Sequence, residues 1–371
     1  MNKDIASDIV VRSYNPFTQF DIVKEIWISL LKRCPHTYFL SWQWKDLWIK
    51  SLPPDCNITL IAGFRNESPV IAFFIGSTIT TRHKFIPIQQ LSINTTYLPH
   101  VDDLYFEYDG ILVEPTVTIW LDLLVKQIQM KWDELVLPKC TLIYNPTLQL
   151  NGINSKYYNL HKRDSRSHYV DLDKVRSSSN YLSLLSPNKR SQIRRSIKEY
   201  EKIGKLRIIV AKNEHEVFEV FDELIDLHQK LWTGRGQPGN FSSEYFINFH
   251  KTLISQRFEH GEIQLMRISA GDYTIGCLYN LVFKGQVLFY TGGLDYLPNN
   301  IYRPGLVSHY LAIEHNAKIG LNSYDFLAGE DEYKRSLSTD YNEMQKTMVQ
   351  KRNTKYYIGR IIARLNRLYK K

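Results

Sequence analysis

A chain of 371 residues that is 43% hydrophobic is long enough for two domains with separate cores, because single cores stop growing below this size. Its formal charge of +9 is concentrated at one end: residues 351–371 hold eight basic residues and no acidic one, leaving a nearly neutral body that argues against nucleic acid as its partner. Cys34, Cys56, Cys140 and Cys277 have neither disulfide nor zinc spacing and read as core thiols. No His/Glu metal spacing, phosphate-cradling Lys-Ser loop or glycine-flanked serine occurs, which counts against metal, kinase and hydrolase chemistry.

The amino terminus has no basic region followed by an apolar run, and no window approaches the ~20 apolar residues of a membrane span. A cytoplasmic protein is expected. In chain order, Ile58–Ala62 and Val70–Ile75 read as strands around the polar turn 65–68, followed by a helix over Val117–Met130. The polar, charged segment 161–167 marks a boundary, predicting domains over 1–165 and 166–371. A strand at Tyr169–Leu172 opens the second. Helices follow over Ser186–Ile203, His215–Trp232 and Ser242–Arg257, ended by or near Gly204, Gly234 and Gly261. Strands at Ile263–Ile268, Ile275–Phe283 and Val287–Leu294, a helix at Leu306–Ile319 and a short strand then repeat the plan of the first half, so the order suggests a duplicated α/β unit.

Four constellations carry chemistry. Arg303-Pro304-Gly305-Leu306 joins an aromatic strand to a helix; a helix start with free N–H groups and an arginine suits a pyrophosphate, or is a proline-started helix with an exposed arginine. Asp325 and Glu330 lie on a short apolar strand and the acidic loop after it, where a carboxylate can accept an amine proton or simply satisfy local donors. Arg190, Arg194 and Arg195 crowd one helix, with Arg190 and Arg194 at i, i+4, either as a phosphate clamp or as a solvated basic face. His228, Trp232, Arg235 and Phe241 surround Gly234–Gly239. That loop follows a helix and contains a proline, so it reads as a substrate-facing or ordinary interhelical loop rather than a dinucleotide loop. Residues 351–371 alternate Ile358, Ile361, Ile362, Leu365 and Leu368 with arginines as an amphipathic basic helix, read as packed on its own domain or touching a membrane or nucleic acid.

Taken as a set over residues 180–340, Ser186…Arg190…Arg194-Arg195…Gly204, Leu227-His228…Trp232…Arg235-Gly236…Phe241, Tyr290-Thr291-Gly292-Gly293…Asp295…Pro304-Gly305 and Gly320…Tyr324-Asp325-Phe326-Leu327-Ala328-Gly329…Tyr333-Lys334 resemble the GNAT superfamily. The likeness is to the group holding CelD/BcsL-type acetyltransferases and Fem-type aminoacyl transferases. In the first half it is looser, carried by Phe39-Leu40-Ser41…Trp44…Trp48 and Tyr108-Asp109-Gly110. The resemblance implies an α/β (α+β) fold of two tandem GNAT-like domains, each a mixed sheet flanked by helices, that moves an acyl group from a carrier to an amine. Two departures stand out: the lysine that Fem-type first domains use for acceptor phosphates has only Lys45 as a loose counterpart, and no coiled-coil arm is present.

The resemblance makes acyl-CoA (acetyl-CoA or a 3-hydroxyacyl-CoA) the expected co-substrate, with no bound cofactor or metal. The expected acceptor is a dTDP- or UDP-linked amino sugar for surface polysaccharide (lipopolysaccharide or capsule), of the dTDP-3-amino-3,6-dideoxygalactose type. Asp325, Glu330, Tyr290 and Tyr333 are the implied catalytic residues. Gly292, Arg303, Pro304, Gly305, Leu306 and Lys334 are assigned to acyl-CoA, and Arg190, Arg194, Arg195, His228, Trp232, Arg235 and Asp295 to the acceptor. The alternatives are an aminoacyl-tRNA-dependent ligase on a peptidoglycan precursor and a non-catalytic accessory protein of polysaccharide production.

Overall fold

The structure, a computed structural model, describes residues 9–104, 108, 110–141, 148–149 and 153–368; Asp109 of the looser resemblance lies outside them. The first part of the chain runs β1 (Val10–Tyr14), α1 (Phe20–Leu31), α2 (Trp42–Ser51), β2 (Ile58–Arg65), β3 (Ser68–Arg82), β4 (Ile86–Ile93), α3 (Pro99–Asp102), β5 (Leu112–Val113), β6 (Ile119–Trp120), α4 (Leu121–Gln127), β7 (Glu134–Thr141) and β8 (Leu148–Gln149). It continues with β9 (Tyr158–Asp171), α5 (Leu172–Ser177), α6 (Pro187–Ile203), β10 (Leu206–Val210), α7 (Glu214–Gly234), α8 (Glu244–Arg257), β11 (Ile263–Ala270), β12 (Tyr273–Phe283) and β13 (Gln286–Leu294). Last come α9 (Pro304–Lys318), β14 (Ser323–Ala328), α10 (Glu332–Leu337), β15 (Asp340–Lys351) and α11 (Thr354–Leu368).

Two compact units result: the described residues up to Ser165 together with those from Glu343 onward, and Arg166–Asn342. In the first, β1 to β4 succeed one another antiparallel; β4 then lies parallel to β7, whose other neighbour is antiparallel β15. In the second, β10 to β13 succeed one another antiparallel, β13 lies parallel to β14, and β14 pairs antiparallel with β9. Both parallel pairs are short, Gln90 to Ser92 on Glu134 to Val136 and Gln286 to Leu288 on Ser323 to Asp325. The duplicated mixed-sheet plan expected from the sequence is thus present at the level of topology.

Three expectations need correction. Residues 343–368 do not group with 166–342, because β15 hydrogen-bonds to β7 from Met344↔Thr141 to Gln350↔Glu134. The strand expected at Tyr169–Leu172 is the end of β9, which begins at Tyr158 and runs through 161–167, a strand so polar that its alternation carries no apolar face; the division between the units does fall there, after Ser165. The helix expected over Val117–Met130 is only α4, with β6 ahead of it.

The first unit closes around Trp27, Trp44, Trp48 and Phe74, all fully buried, with Trp27 and Phe74 ring centres 5.0 Å apart. Lys45 is buried there too, its Nζ 4.8 Å from the Trp48 ring centre. In the second unit Ile193 and Tyr200 of α6, Val307 and Ile313 of α9, and Tyr324 and Phe326 of β14 join one core, which fixes α6 and α9 on the sheet. Ser186 caps α6 through Lys189 N, and a side chain at Gly204, which follows the last turn of α6, would strike the Gly271 backbone at 2.6 Å, so that close approach requires glycine.

Candidate active site

The site is built where β13 and β14 part. Their parallel pairing ends at Leu288↔Asp325, while β13 runs on to Leu294 against β12 alone. At that point the β12–β13 register shifts, with Tyr279 opposite Thr291 and Asn280 opposite Phe289, so Tyr290 is the bulged residue of β13. A bulge at a parting pair of strands re-aims the side chains on either side of it. Phe289 then faces α9, its ring 4.6 Å from His309, while Tyr290 faces α8, 4.7 Å from the His250 ring and 5.7 Å from Tyr279. His309 also touches Phe326 at 5.2 Å and so closes the narrow end between the two strands.

The end of β14 is shaped by buried polar groups. Asp325 Oδ1 accepts from Ser167 Oγ at 2.9 Å and from Leu327 N at 2.7 Å, and Leu327 sits at φ 61°, a left-handed conformation that a local acceptor helps to hold. Lys334 Nζ donates to the carbonyls of Ala328 at 2.7 Å and Leu327 at 3.4 Å. Lys334 is therefore buried against the strand end that it braces. Glu330 is exposed on the loop beyond and accepts from Arg166 N at 3.0 Å.

Pro304 starts α9, as expected, and has no N–H to lose; Val307 N bonds to Arg303 O, which leaves the amides of Gly305 and Leu306 without helical acceptors at the positive end of the dipole. Arg303 is exposed, its own amide held by buried Ser196 of α6 at 2.9 Å. Gly305 packs tightly, since a side chain there would meet Leu294 at 3.3 Å, and Leu306 faces the core. On α6, Arg190 is half-buried and Arg194 and Arg195 are exposed; the charge of Arg194 acts on Tyr310, well inside α9 rather than at its start.

Around the mouth, burial raises the Tyr333 phenol, and Asp331 and Tyr296 raise it further. Burial also raises the Tyr296 phenol, while the charge of Arg235 pulls it back. Tyr296, one residue beyond Asp295 and absent from the sequence-based set, is thus within electrostatic reach of Arg235 and Tyr333. Tyr333 stacks on His309 at 5.8 Å, whereas Tyr290 points to α8, so these two tyrosines are not brought together. Arg235 lies 5.7 Å over Trp232, and His228 packs edge-on against Phe241 at 4.9 Å, with burial lowering its imidazole. Asp295 accepts from Lys230 and Tyr273, both at 2.7 Å; against the cost of burial, these partners hold its carboxyl below the usual range. Gly292 approaches the Cys277 carbonyl so closely that a side chain would lie 3.0 Å from it.

Among the described residues, no group of three or more His, Cys, Asp or Glu could hold a metal ion, and no helix is long and apolar enough to cross a membrane. Residues 187–335 match the family described as Acetyltransferase (GNAT) domain. These residues form a GNAT domain. The chain's fold is also that of FemX, with a TM-score of 0.51 over 87% of this chain and 95% of that one at 9% identity. L-PGS from Bacillus licheniformis aligns with a TM-score of 0.44 at 10% identity, covering 92% and 96% of the two chains. A tandem GNAT protein from the clavulanic acid biosynthesis pathway aligns at 0.44 and 7% identity, covering 91% and 98%. No curated protein matches the sequence. The parting strands, the bulge at Tyr290 and the start of α9 all lie inside the GNAT domain.

Proposed function

We propose that this protein transfers an acyl group from acyl-CoA to the amino group of a nucleotide-linked amino sugar, using the parting of β13 and β14 as the thioester seat. One observation carries the reading: the strand bulged at Tyr290 ends at Leu294 against Gly305, at the start of α9 where the amides of Gly305 and Leu306 have no helical acceptor. An acyl-CoA laid along that opening would put its pyrophosphate on Gly305 N, Leu306 N and Arg303, and its carbonyl oxygen on a backbone N–H of the Tyr290 region.

The amine nitrogen attacks the thioester carbon and the C–S bond breaks, releasing CoA. Glu330, on the loop beyond β14, takes the proton that the amine loses. Tyr333, kept protonated by burial, gives a proton to the leaving thiolate. Asp325 and Lys334 position the strand end. Arg190 and Arg194 supply an acceptor diphosphate site apart from the CoA pyrophosphate, and Trp232, Arg235 and Tyr296 line the sugar side.

Calorimetric titration with acetyl-CoA and a 3-hydroxyacyl-CoA, on the parent and on Arg303→Ala, tests the donor. Micromolar binding weakened about tenfold by Arg303→Ala is expected, the weight of one charge-assisted contact. No binding of either thioester ends the acyl-CoA reading and favours an aminoacyl-tRNA donor.

A further inference from the structure

At the end of the chain, α11 is anchored by its first turn: Lys355 Nζ and Asn353 Nδ2 both reach Asp133 at 2.7 Å, and Tyr356 N donates to Asn353 Oδ1 at 3.1 Å. Further along, a side chain on Gly359 would lie 3.8 Å from the His83 ring, so the small-residue side of the helix rests on the β3–β4 turn. The apolar residues face away. Ile358, Ile361, Leu365 and Leu368 recur at i, i+3, i+7 and i+10 on one stripe, and all are exposed, Ile361 to 60% and Leu368 to 66%.

That orientation is the reverse of a helix packed on its own domain. Tyr357 extends the stripe, and Phe85, 65% exposed at the tip of the turn on which α11 rests, adds a further apolar group. Arg360 and Arg364 are exposed beside the stripe, Lys84 shares the turn with Phe85, and residues 351–371 contain eight basic and no acidic side chains.

We propose that α11 and the β3–β4 turn dock this protein on an anionic lipid bilayer, the helix lying in the plane of the headgroups. Apolar side chains outward with cations at their flank are what such a surface binds, since the stripe enters the acyl boundary while the charges stay among the phosphates. Nucleic acid would use the charges and leave the isoleucines and leucines in water. A second copy facing this stripe would bring two wholly basic segments together. No helix among the described residues spans a membrane, so the attachment is to one face only.

Flotation of the full chain with vesicles of phosphatidylglycerol and phosphatidylcholine, and with phosphatidylcholine alone, tests this. The protein is expected to rise with the anionic vesicles and to stay behind with the neutral ones. Ile361→Glu with Leu365→Glu should lower the partition coefficient at least about tenfold, and Arg360→Gln or Arg364→Gln about fivefold each, with unchanged melting temperatures because all four are exposed. Failure to float with anionic vesicles, equal binding to neutral ones, or undiminished binding by the double variant overturns the proposal. So does a dimer in sedimentation that the double variant dissolves while vesicles bind neither form.

Discussion

His309 Nδ1 lies 3.0 Å from the Tyr324 hydroxyl, joining α9 to β14 at the narrow end of the opening between β13 and β14. Burial, with the charge of Lys334, lowers this imidazole to about 3 from the usual 6.5, and burial alone lowers His250 to about 3. Both stay neutral in the folded protein while the unfolded chain takes up protons below 6.5. Stability is therefore level above that value and falls with pH from 6.5 toward 3, each histidine contributing about 1.4 kcal/mol per pH unit. Urea unfolding at pH 7, 6 and 5 should show this decline, with His250→Gln reducing the slope by one proton. Equal stabilities at pH 7 and 5 would mean that neither histidine is held neutral.

Gly293 meets α7 where no side chain fits. A Cβ there would collide with the Leu224 carbonyl and lie 2.8 Å from Leu227 Cβ and 3.0 Å from His228 N. Gly293→Ala should force α7 off β13 and cost about 2 kcal/mol or more. Gly320→Ala gives a contrast: nothing lies within 4 Å, and only its left-handed backbone at φ 88° is strained. It should cost about 1 kcal/mol. Thermal melts of the two variants rank them; a Gly293→Ala protein as stable as the parent would show that α7 is loosely seated.

The strand-loop-helix from Val287 to Ile319 was legible because a glycine pair, a proline and an apolar helix punctuate it, and the ends at Gly204 and Gly234 follow the same logic. β9 and β15 were not legible as strands of this length, since His161, Lys162, Arg163 and Asp164 in one and Tyr341, Asn342 and Glu343 in the other give no apolar alternation. What defines such segments is a neighbour distant in sequence. The bulge at Tyr290 likewise depends on the partner strand. Lys334 was placed on acyl-CoA by motif, whereas its contacts lie inside the fold.

Lys334→Met tests that reassignment. The change leaves the carbonyls of Leu327 and Ala328 without this ammonium, at a cost of about 1–3 kcal/mol. Binding of acyl-CoA should stay within about twofold for a residue that contributes no contact to it. Calorimetry together with a thermal melt separates the outcomes: unchanged stability with lost CoA binding would restore the lysine to the ligand.

Asp325 and Glu330 are five residues apart but differ in surroundings, and so should differ when changed. Asp325 is buried and accepts from Ser167 Oγ and Leu327 N; Asp325→Asn would present an amide group to these donors and should destabilise the GNAT domain by about 1–3 kcal/mol. Glu330 is exposed with one backbone donor, so Glu330→Gln should leave the melting temperature nearly unchanged. As the proton acceptor for the amine, however, its loss should lower kcat about 10²- to 10⁴-fold. Once an acyl acceptor is in hand, kcat and melting temperature measured together on both variants decide the assignment. A Glu330→Gln enzyme with full kcat would remove it as the base, and a stable Asp325→Asn protein with kcat lost would transfer that role to Asp325.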